Sequence, residues 1–511
     1  MIKKDFLTTL LISLTGVAIG VLAVLNIQAL SSRGKRQKLD KSKWGKLELV
    51  LEQIDANYVD EIDYEKAGEA AITAVLGTLD PHSVYMPPQT LEASETELAG
   101  NFDGIGIQFN VPNDTAIVLE VIPGGPSEKI GLRPGDRLMK VDSINIAGVG
   151  YPQDSMVRRM RGLAGTKVEV TVKRGEDTIP FEITRGKIPL HSVDASFMVN
   201  DTTGYIKLAK FSRNTFTEFR QGALDLLSSG MKKLIVDLRD NSGGFLDQAL
   251  NLSNLFLDRG QMIVYMEGEH RAREEFKADG RGFLRDVQLV VIIDEGSASS
   301  SEIFAGAIQD NHRGTILGRR SFGKGLVQEP VYFSDGSGVR LTVARFYTPS
   351  GRCLQKPYGD DYGYEILRRY EGGEMLAADS MKVENGGILP DVFVPVDTTK
   401  ASDFYIACRT KATTMRFASA YFDSHGTELG AIDDYDALIR YLDRASLESR
   451  FLSFARQVDG LVPEPGSWNE EKPYLMAQVR ALVGRYSKLG DAAYYHLFVP
   501  IDRDIKAAIE Q

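Results

Sequence analysis

The stretch Asp294-Glu-Gly-Ser-Ala-Ser299-Ser-Ser-Glu302-Ile carries the strongest structural signal in this chain. The residues before it, Leu289-Val-Val-Ile-Ile293, are all apolar, as a buried parallel strand requires. The residues after it place apolar side chains at helical spacing, at Ile303, Phe304, Ala307 and Ile308. Ser299 is therefore expected where a strand turns into a helix. Such a corner exposes a side chain at the sheet edge and points backbone N–H groups at whatever that side chain attacks.

A serine at this corner needs a base if it is to act as a nucleophile. Lys324 lies between two glycines after a second short strand, Thr315-Ile-Leu317, and could be that base if burial lowers its pKa. A histidine base is disfavoured, because the chain has only six histidines, His312 is the only one nearby in sequence, and there is no Gly-x-Ser-x-Gly motif. The residues also allow a simpler interpretation. Ser299-x-x-Glu302 has the pattern of a helix capping box, and Lys324 could be an exposed lysine in a glycine turn.

A phosphate-binding loop is the other interpretation of this region. The segment from Gly318 to Lys324 has the required spacing, but Gly325 stands where a Ser or Thr should bind magnesium. Pro330 also follows too soon for the helix that such a loop needs. We therefore reject nucleotide binding.

Several motifs together resemble the carboxyl-terminal processing proteases, also called tail-specific proteases, which are Ser–Lys peptidases. The resemblance spans roughly residues 45–397, and the motifs follow the order found in the family. They are Val236-Asp-Leu-Arg-Asp-Asn-Ser-Gly-Gly244, Gly296-Ser-Ala-Ser-Ser-Ser-Glu-Ile-Phe-Ala-Gly306, Phe322-Gly-Lys-Gly-Leu-Val-Gln328, Arg345-Phe-Tyr-Thr-Pro-Ser-Gly-Arg352 and Gly387-Ile-Leu-Pro-Asp391.

The resemblance implies a role for each matching residue. Ser299 matches the nucleophile, Lys324 the general base and Gln328 the residue that orients the lysine. The family usually has alanine after the nucleophile, whereas this chain has three consecutive serines. The choice of nucleophile is therefore open, although the spacing to Lys324 favours Ser299. The implied oxyanion hole consists of backbone N–H groups, from Ser300 together with Gly243 or Gly244.

The segment from about residue 100 to residue 185 resembles a PDZ domain, with short alternating strands and glycine turns. Its loop Gly104-Ile105-Gly106-Ile107 would present N–H groups to a free peptide carboxylate, and the neighbouring strand edge would pair with the peptide. We expect Ile105, Ile107 and Phe109 to supply apolar surface beside this loop. The expected partner is thus a polypeptide with a free C-terminus.

The N-terminal residues predict a membrane segment. Phe6 to Leu30 is apolar, uncharged and long enough to cross a bilayer, and no convincing cleavage site precedes Ser31. An uncleaved anchor is favoured, and a cleaved signal peptide is the alternative. Seven Lys or Arg residues between Arg33 and Lys46 would hold this side in the cytoplasm by the positive-inside rule. The family resemblance instead implies the bacterial periplasm, with anchoring to the inner membrane, and we follow the resemblance.

Composition agrees with an ordinary multidomain globular protein. The 511 residues are 43% hydrophobic and 25% charged, which suffices for three or four domains. The net charge of −10 argues against nucleic acid as the main partner. No Cys/His cluster has metal-ligand spacing, so neither a metal nor another cofactor is expected. Cys353 and Cys408 could form a disulfide or remain free thiols.

The predicted fold is a multidomain α/β chain whose Ser–Lys protease core is ClpP/crotonase-like. A homo-oligomer is compatible with the aromatic-rich C-terminal segment. Two other functions stay open: a PDZ scaffold with a dead protease core, and an acyl-transfer or hydratase enzyme on a related sheet. The expected division is a membrane segment (1–30), a basic linker (31–46), an N-terminal helical region (47–90), a PDZ domain (91–186), the protease core (187–400) and a helical C-terminal extension (401–511).

Overall fold

The computed structural model describes residues 41–111, 114–122, 124–359, 362–377, 386–396 and 402–511. These residues form two compact units. The first contains the described residues up to Ala93 together with Val327–Val343, and the second contains Ser94–Leu326 and Ala344–Gln511. No helix in the described part of the chain is long and apolar enough to span a membrane. The predicted membrane segment, residues 1–30, and residues 31–40 of the basic linker lie outside the described residues.

The first unit joins the N-terminal helices to a β-hairpin from much later in the chain. Its strand β1 pairs antiparallel with β18, from Val84 opposite Arg340 to Met86 opposite Gly338. β17 pairs with β18 as well. The elements that belong to this unit, wholly or in part, are α1 (Lys41–Asn57), α2 (Tyr64–Leu76), β1 (Val84–Met86), α3 (Pro88–Ala99), β17 (Leu326–Tyr332) and β18 (Gly338–Tyr347).

The PDZ segment is a small β-domain closed by a helix. Its strands form an antiparallel sheet in the order β3-β4-β5-β7-β8, so β3 lies at the edge, while β2 pairs separately with β9. Alternate side chains of β7 are buried, as expected for a sheet with one face in the core. The elements are β2 (Asn101–Gly104), β3 (Ile107–Asn110), β4 (Ala116–Val121), α4 (Pro126–Lys129), β5 (Arg137–Val141), β6 (Ile144–Asn145), α5 (Gln153–Met160), β7 (Lys167–Arg174), β8 (Asp177–Thr184) and β9 (Gly186–Pro189).

The predicted protease core is built on a six-stranded sheet in the order β10-β11-β12-β15-β16-β19. β10 and β11 are antiparallel, and all other neighbours are parallel. The elements of this sheet and its first helices are β10 (Val193–Met198), β11 (Thr203–Leu208), α6 (Thr215–Ser228), β12 (Lys233–Asp237), α7 (Leu246–Asn254), β15 (Gln288–Ile293), α8 (Ser300–Asp310), β16 (Thr315–Gly318) and β19 (Val392–Phe393).

A second group of strands extends this core. β13 pairs antiparallel with β14 and, through Tyr265 and its neighbours, with the C-terminal part of β18 around Tyr347. A short helix follows the loop after β18. These elements are β13 (Met262–Gly268), β14 (Arg271–Lys277) and α9 (Glu365–Glu371).

The C-terminal extension is helical, as predicted, and its last helix is part of the protease core. Ile505 and Ala508 of α16 pack in one cluster with Tyr205, Ile235 and Val290 from one face of the sheet. Because side chains alternate along a strand, the other face is left for α6, where Gly222 lies beside Ile206. The helices are α10 (Asp403–Thr410), α11 (Thr413–Leu429), α12 (Tyr435–Arg444), α13 (Leu447–Asp459), α14 (Pro465–Gly484), α15 (Gly490–Phe498) and α16 (Arg503–Glu510).

Ion pairs fasten α16 to the carboxyl ends of the parallel strands. Arg239, just after β12, pairs with Asp502 and Asp504 at 2.9 Å each and also with Asp237. At the other end of the helix, Lys233 Nζ donates to the carbonyl of Ile509 at 2.9 Å. The extension thus covers a sheet face that would otherwise expose apolar side chains to water.

The two cysteines do not form a disulfide. Cys353 and Cys408 are both free, and burial raises the pKa of the Cys408 thiol to about 11. The alternative of two free thiols is therefore confirmed.

Candidate active site

Ser299 lies at the corner between β15 and α8, as the sequence predicts. Its backbone has φ 55° and ψ −114°, a conformation that costs energy for a residue with a side chain and occurs most often at functional sites. The corner is held by Asp294 Oδ1, which accepts from the N–H groups of Asp240, Gly296 and Ser297 at 3.0, 3.0 and 3.1 Å. The Ser299 side chain is half-buried. The strand-to-helix turn thus presents this serine in a strained geometry.

The hydroxyl of Ser299 differs from those of the neighbouring serines in its hydrogen bonding. Ser297 Oγ donates to the carbonyl of Leu238 at 2.8 Å, and Ser300 and Ser301 donate to the carbonyls of Gly244 and Asn241 at 2.9 Å each. Of these four serines, only Ser299 has a hydroxyl without an acceptor in the described part of the chain. The structure therefore favours Ser299 as the nucleophile.

Glu302, in the first turn of α8, connects this corner to the loop that carries Lys324. Its Oε2 accepts from the N–H groups of Ser299 and Lys324, each at 2.8 Å. Its Oε1 accepts from the Gly323 N–H at 2.7 Å and from the Ser321 hydroxyl at 2.5 Å. The side chain is completely buried, and burial raises its pKa although these four hydrogen bonds favour the carboxylate.

The shared oxygen brings the two predicted catalytic residues together. Two bonds of 2.8 Å to one atom place the backbone nitrogens of Ser299 and Lys324 at most 5.6 Å apart. The lysine loop is also tied to the corner by the Phe322 N–H, which donates to the Ser297 carbonyl at 2.9 Å. Gly325 is required next to the lysine, because a Cβ there would lie 2.5 Å from the Gln355 nitrogen. A serine and a lysine are thus held side by side by main-chain contacts.

Gln328, the third predicted catalytic residue, belongs to the first compact unit. It lies in β17, and its Nε2 donates to the carbonyl of His82 at 2.6 Å. Its expected role in orienting the lysine stays a prediction.

The two glycines after β12 differ in their hydrogen bonding, which bears on the two alternatives for the predicted oxyanion hole. The Gly243 N–H donates to Asn241 Oδ1 at 2.9 Å and is therefore engaged. The N–H groups of Gly244 and Ser300 have no acceptor among the residues described here. Gly243 has a different role: a Cβ on it would lie 2.8 Å from the Ser299 Cβ, so only glycine lets the loop approach the corner. Gly244 and Ser300 are the better pair.

Asn241 is a site residue that the sequence analysis missed. Its Nδ2 donates to the Leu208 carbonyl at 2.8 Å, and its own carbonyl accepts from the Ala298 N–H at 3.0 Å. Asn241 thus ties the glycine loop to the end of β11 through its side chain and to the serine corner through its backbone carbonyl. Its position just before the glycines of the motif 236–244 was the available signal.

Asp294 is a second missed residue, and it leads to a prediction about stability. Burial, together with the nearby Asp240 and Glu295 charges, raises its pKa from 3.8 to about 6. Compared with the unfolded chain, the folded chain favours the protonated form, so the contribution of this group to stability is largest below pH 4, falls as the pH rises from about 4 to 6, and has lost about 3 kcal/mol once the pH is above 6. Asp294→Asn keeps an acceptor oxygen without the charge, and we expect it to flatten this dependence. Chemical unfolding of both proteins at pH 4 and pH 7.5 measures it, and parallel curves would contradict it.

The PDZ loop has the backbone geometry expected of a carboxylate-binding loop. Gly106 has φ 79°, and a Cβ on it would lie 2.9 Å from Ile188 Cδ1. Its carbonyl accepts from the Ile122 N–H at 3.0 Å, while Ile107 faces Val121. In an antiparallel ladder this places the Ile107 N–H on the outer edge of β3, where a peptide strand could pair. Gly104 pairs with Gly186 and starts the loop.

One detail of the PDZ prediction is wrong. Ile105 is only 2% exposed and packs in the core of the domain, so it does not supply surface beside the loop. Ile107 and Phe109 are partly buried against that core. An isoleucine in a Gly-x-Gly loop can point either way, and the sequence pattern does not decide which.

Three segments of the chain match models of known families. Residues 202–362 match the model of peptidase family S41, residues 104–184 the PDZ domain, and residues 18–90 the N-terminal domain of the activating protease CtpB. These matches confirm the predicted PDZ domain and the resemblance to carboxyl-terminal processing proteases.

Probable serine proteases are among the proteins of similar sequence. The probable CtpA-like serine proteases of Staphylococcus aureus (strain N315) and Staphylococcus haemolyticus (strain JCSC1435) are 33% and 32% identical over 319 residues. That alignment covers 62% of this chain and 64% of each relative. Among solved structures, a photosystem II D1 C-terminal processing protease is 29% identical, with a TM-score of 0.39, over 70% of this chain and 90% of that protein.

Proposed function

We propose, from the peptidase family S41 domain and the PDZ domain that this chain carries, that it is a serine endopeptidase that cleaves polypeptides near their C-termini. The observation that carries the proposal is the Glu302 oxygen shared by the N–H groups of Ser299 and Lys324. This contact supports a Ser–Lys dyad, because it holds a nucleophile and a base on adjacent backbone segments.

In the proposed mechanism, Lys324 in its neutral form takes the proton from the Ser299 hydroxyl as Ser299 Oγ attacks the scissile carbonyl carbon. The negative charge that develops on the carbonyl oxygen is stabilised by the N–H groups of Ser300 and Gly244. When the tetrahedral intermediate collapses, Lys324 returns the proton to the leaving amine and an acyl-serine remains. A water molecule, deprotonated by Lys324, then attacks the ester carbonyl carbon; the bond from that carbon to Ser299 Oγ breaks, Lys324 gives the proton to Oγ, and the acyl group leaves as a carboxylic acid.

The PDZ domain would select the substrate in this proposal. A loop that captures a free carboxylate distinguishes a chain end from an internal segment, and the outer edge of β3 can pair with the residues before that end. Ile107 and Phe109 are the apolar neighbours of the loop that stay partly exposed. Apolar C-terminal residues are therefore the preferred ends.

Substrate choice gives the test of this part of the proposal. Peptides with a free, apolar C-terminus should be cleaved faster than the same peptides amidated, because amidation removes the charge that the loop binds. Gly106→Leu should slow cleavage of long polypeptides by roughly tenfold or more, since a side chain at φ 79° is strained and meets Ile188. Small chromogenic esters, which need only the dyad, are the control. Equal rates for acid and amide peptides would contradict the proposal.

We also propose a location for the enzyme. The apolar segment 6–30 anchors the chain in the inner membrane, and the domains after it work in the bacterial periplasm. The support is the sequence pattern together with the family resemblance. Fusion of alkaline phosphatase after residue 511 tests it: the fusion should be active in cells, and an inactive fusion with intact protease in the cytoplasmic fraction would overturn it.

A further inference from the structure

The amide of Gln328 is oriented by a turn far away in the sequence. Its Nε2 donates to the His82 carbonyl at 2.6 Å. A carbonyl oxygen only accepts hydrogen bonds, so this contact determines which end of the amide is the donor and which the acceptor. The remaining atom, Oε1, is then the end with which Gln328 can accept. A glutamate at this position would set a second oxygen against the His82 carbonyl, which explains why the chain has an amide here.

The His82 carbonyl is itself held by hydrogen bonds to Asp80. Asp80 Oδ1 accepts from the N–H groups of His82 and Ser83, both at 2.8 Å, and Oδ2 accepts from the Ser83 hydroxyl at 2.7 Å. Pro81, between the aspartate and the histidine, restricts the backbone further. One carboxylate thus fixes the peptide groups before and after His82, and the second of these contains the His82 carbonyl.

This turn is attached to the hairpin that carries Gln328. The Thr342 hydroxyl donates to Asp80 Oδ1 at 3.2 Å, and the Thr342 N–H donates to Ser83 Oγ at 3.1 Å. Thr342 lies in β18, which pairs with β17 on one side and with β1, directly after the turn, on the other. Although burial acts to raise it, the pKa of Asp80 is lowered by the hydrogen bonds from Ser83, His82 and Thr342, so the carboxylate persists at neutral pH.

We infer that the turn centred on Asp80 is a positioning device for the peptidase reaction: it fixes the His82 carbonyl, which presents the Gln328 amide with Oε1 as its acceptor end. The inference rests on the proposed function and on the predicted role of Gln328 in orienting the lysine base. Asp80 acts through Gln328 and touches no substrate. The segment Asp80-Pro-His-Ser83 thereby gains a positioning role in catalysis.

The test compares Asp80→Ala, Gln328→Ala and the double variant, using hydrolysis of one peptide across pH 6–10. Asp80→Ala should lower kcat by roughly 10- to 100-fold, as expected for a small misplacement of a reacting group. The pH at which the rate is half-maximal should also be lower than in the wild type. The Gln328 amide oxygen, as an acceptor, favours the protonated Lys324 amine, so misplacing this oxygen favours the neutral amine. Gln328→Ala should show the same shift, and the double variant should be no worse than Gln328→Ala alone.

Asp335→Ala is the matched control, because Asp335 caps a similar turn in the same hairpin by accepting from the N–H and hydroxyl of Ser337 at 2.9 and 2.7 Å. It should leave kcat and the pH profile unchanged.

Asp80→Asn keeps one acceptor oxygen for both N–H groups and should therefore recover most of the activity. This variant keeps the inference testable if Asp80→Ala folds poorly. Additive losses in the double variant, or an Asp80→Ala pH profile equal to that of the wild type, would overturn the inference. If Ser299→Ala hydrolyses the peptide at the wild-type rate, the proposed function itself is overturned.

Discussion

Ser299→Ala is expected to reduce peptide hydrolysis by roughly 10⁵- to 10⁶-fold while the chain stays folded, because the nucleophile is lost. Lys324→Ala should have an effect of similar size, and the double variant should be no worse than either single one, since the two residues act as one unit. The wild-type rate should rise with pH, because the lysine must be neutral to accept the serine proton. Initial rates on one peptide, with circular dichroism to verify folding, measure all of this.

The neighbouring serines provide the controls for this prediction. Ser297→Ala and Ser301→Ala each remove a buried hydroxyl that donates to a backbone carbonyl, so they should lower the free energy of unfolding by about 1–3 kcal/mol. Both should retain most of the activity. If Ser299→Ala stays active while either of these variants loses hydrolysis, the nucleophile is assigned to the wrong serine. Activity that is flat from acid to alkaline pH would argue against a lysine base.

The sequence predicted the elements whose signals are local. An unbroken apolar run predicted β15, and helical spacing predicted the helix after Ser299, with bounds that agree within a residue or two. The corner at Ser299 follows from the same signals. These features depend on residues that are neighbours in the chain, so a periodic pattern is enough to find them.

The missed features depend on contacts between distant segments. The pair Ser299-x-x-Glu302 allowed a capping box, and Glu302 Oε2 does accept from the Ser299 N–H, but the other oxygen of Glu302 is used by a loop about twenty residues later. Gly243 and Gly244 are equivalent in the sequence, and only the Asn241 side chain distinguishes them. The docking of α16 through Asp502 and Asp504 onto Arg239 joins residues more than 260 positions apart. No periodicity reports such contacts.

Glu302→Ala is expected to reduce hydrolysis by roughly 100-fold or more, although Glu302 touches no substrate. Without the carboxylate, the N–H groups of Ser299, Gly323 and Lys324 lose their acceptor in a buried site. Each unsatisfied donor lowers the free energy of unfolding by about 1–3 kcal/mol. The strained φ of Ser299 would then relax, and the lysine loop would separate from the corner. Since a displacement of about 1 Å can cost about 100-fold in rate, the effect should fall on kcat more than on KM.

Glu302→Gln separates the role of the acceptor atoms from that of the side-chain volume. An amide has one oxygen, which can replace Oε2 for Ser299 and Lys324, while its NH2 group must then face the Gly323 N–H and the Ser321 hydroxyl. The hydroxyl can rotate to accept, but the N–H cannot. Glu302→Gln should therefore be more active than Glu302→Ala and clearly less active than the wild type.

Ser321→Ala is the control for this pair, because it removes one donor to Glu302 Oε1 and leaves the three backbone contacts intact. It should lower stability slightly and retain most of the rate. The measurement is kcat and KM for all three variants, with the unfolding midpoint of each. Full activity in Glu302→Ala would show that Ser299 and Lys324 keep their geometry without the shared oxygen, and a loss explained entirely by unfolding would reduce Glu302 to a stabilising residue. A lowered kcat in a folded protein, partly restored by glutamine, is the pattern that a carboxylate joining the nucleophile to its base requires.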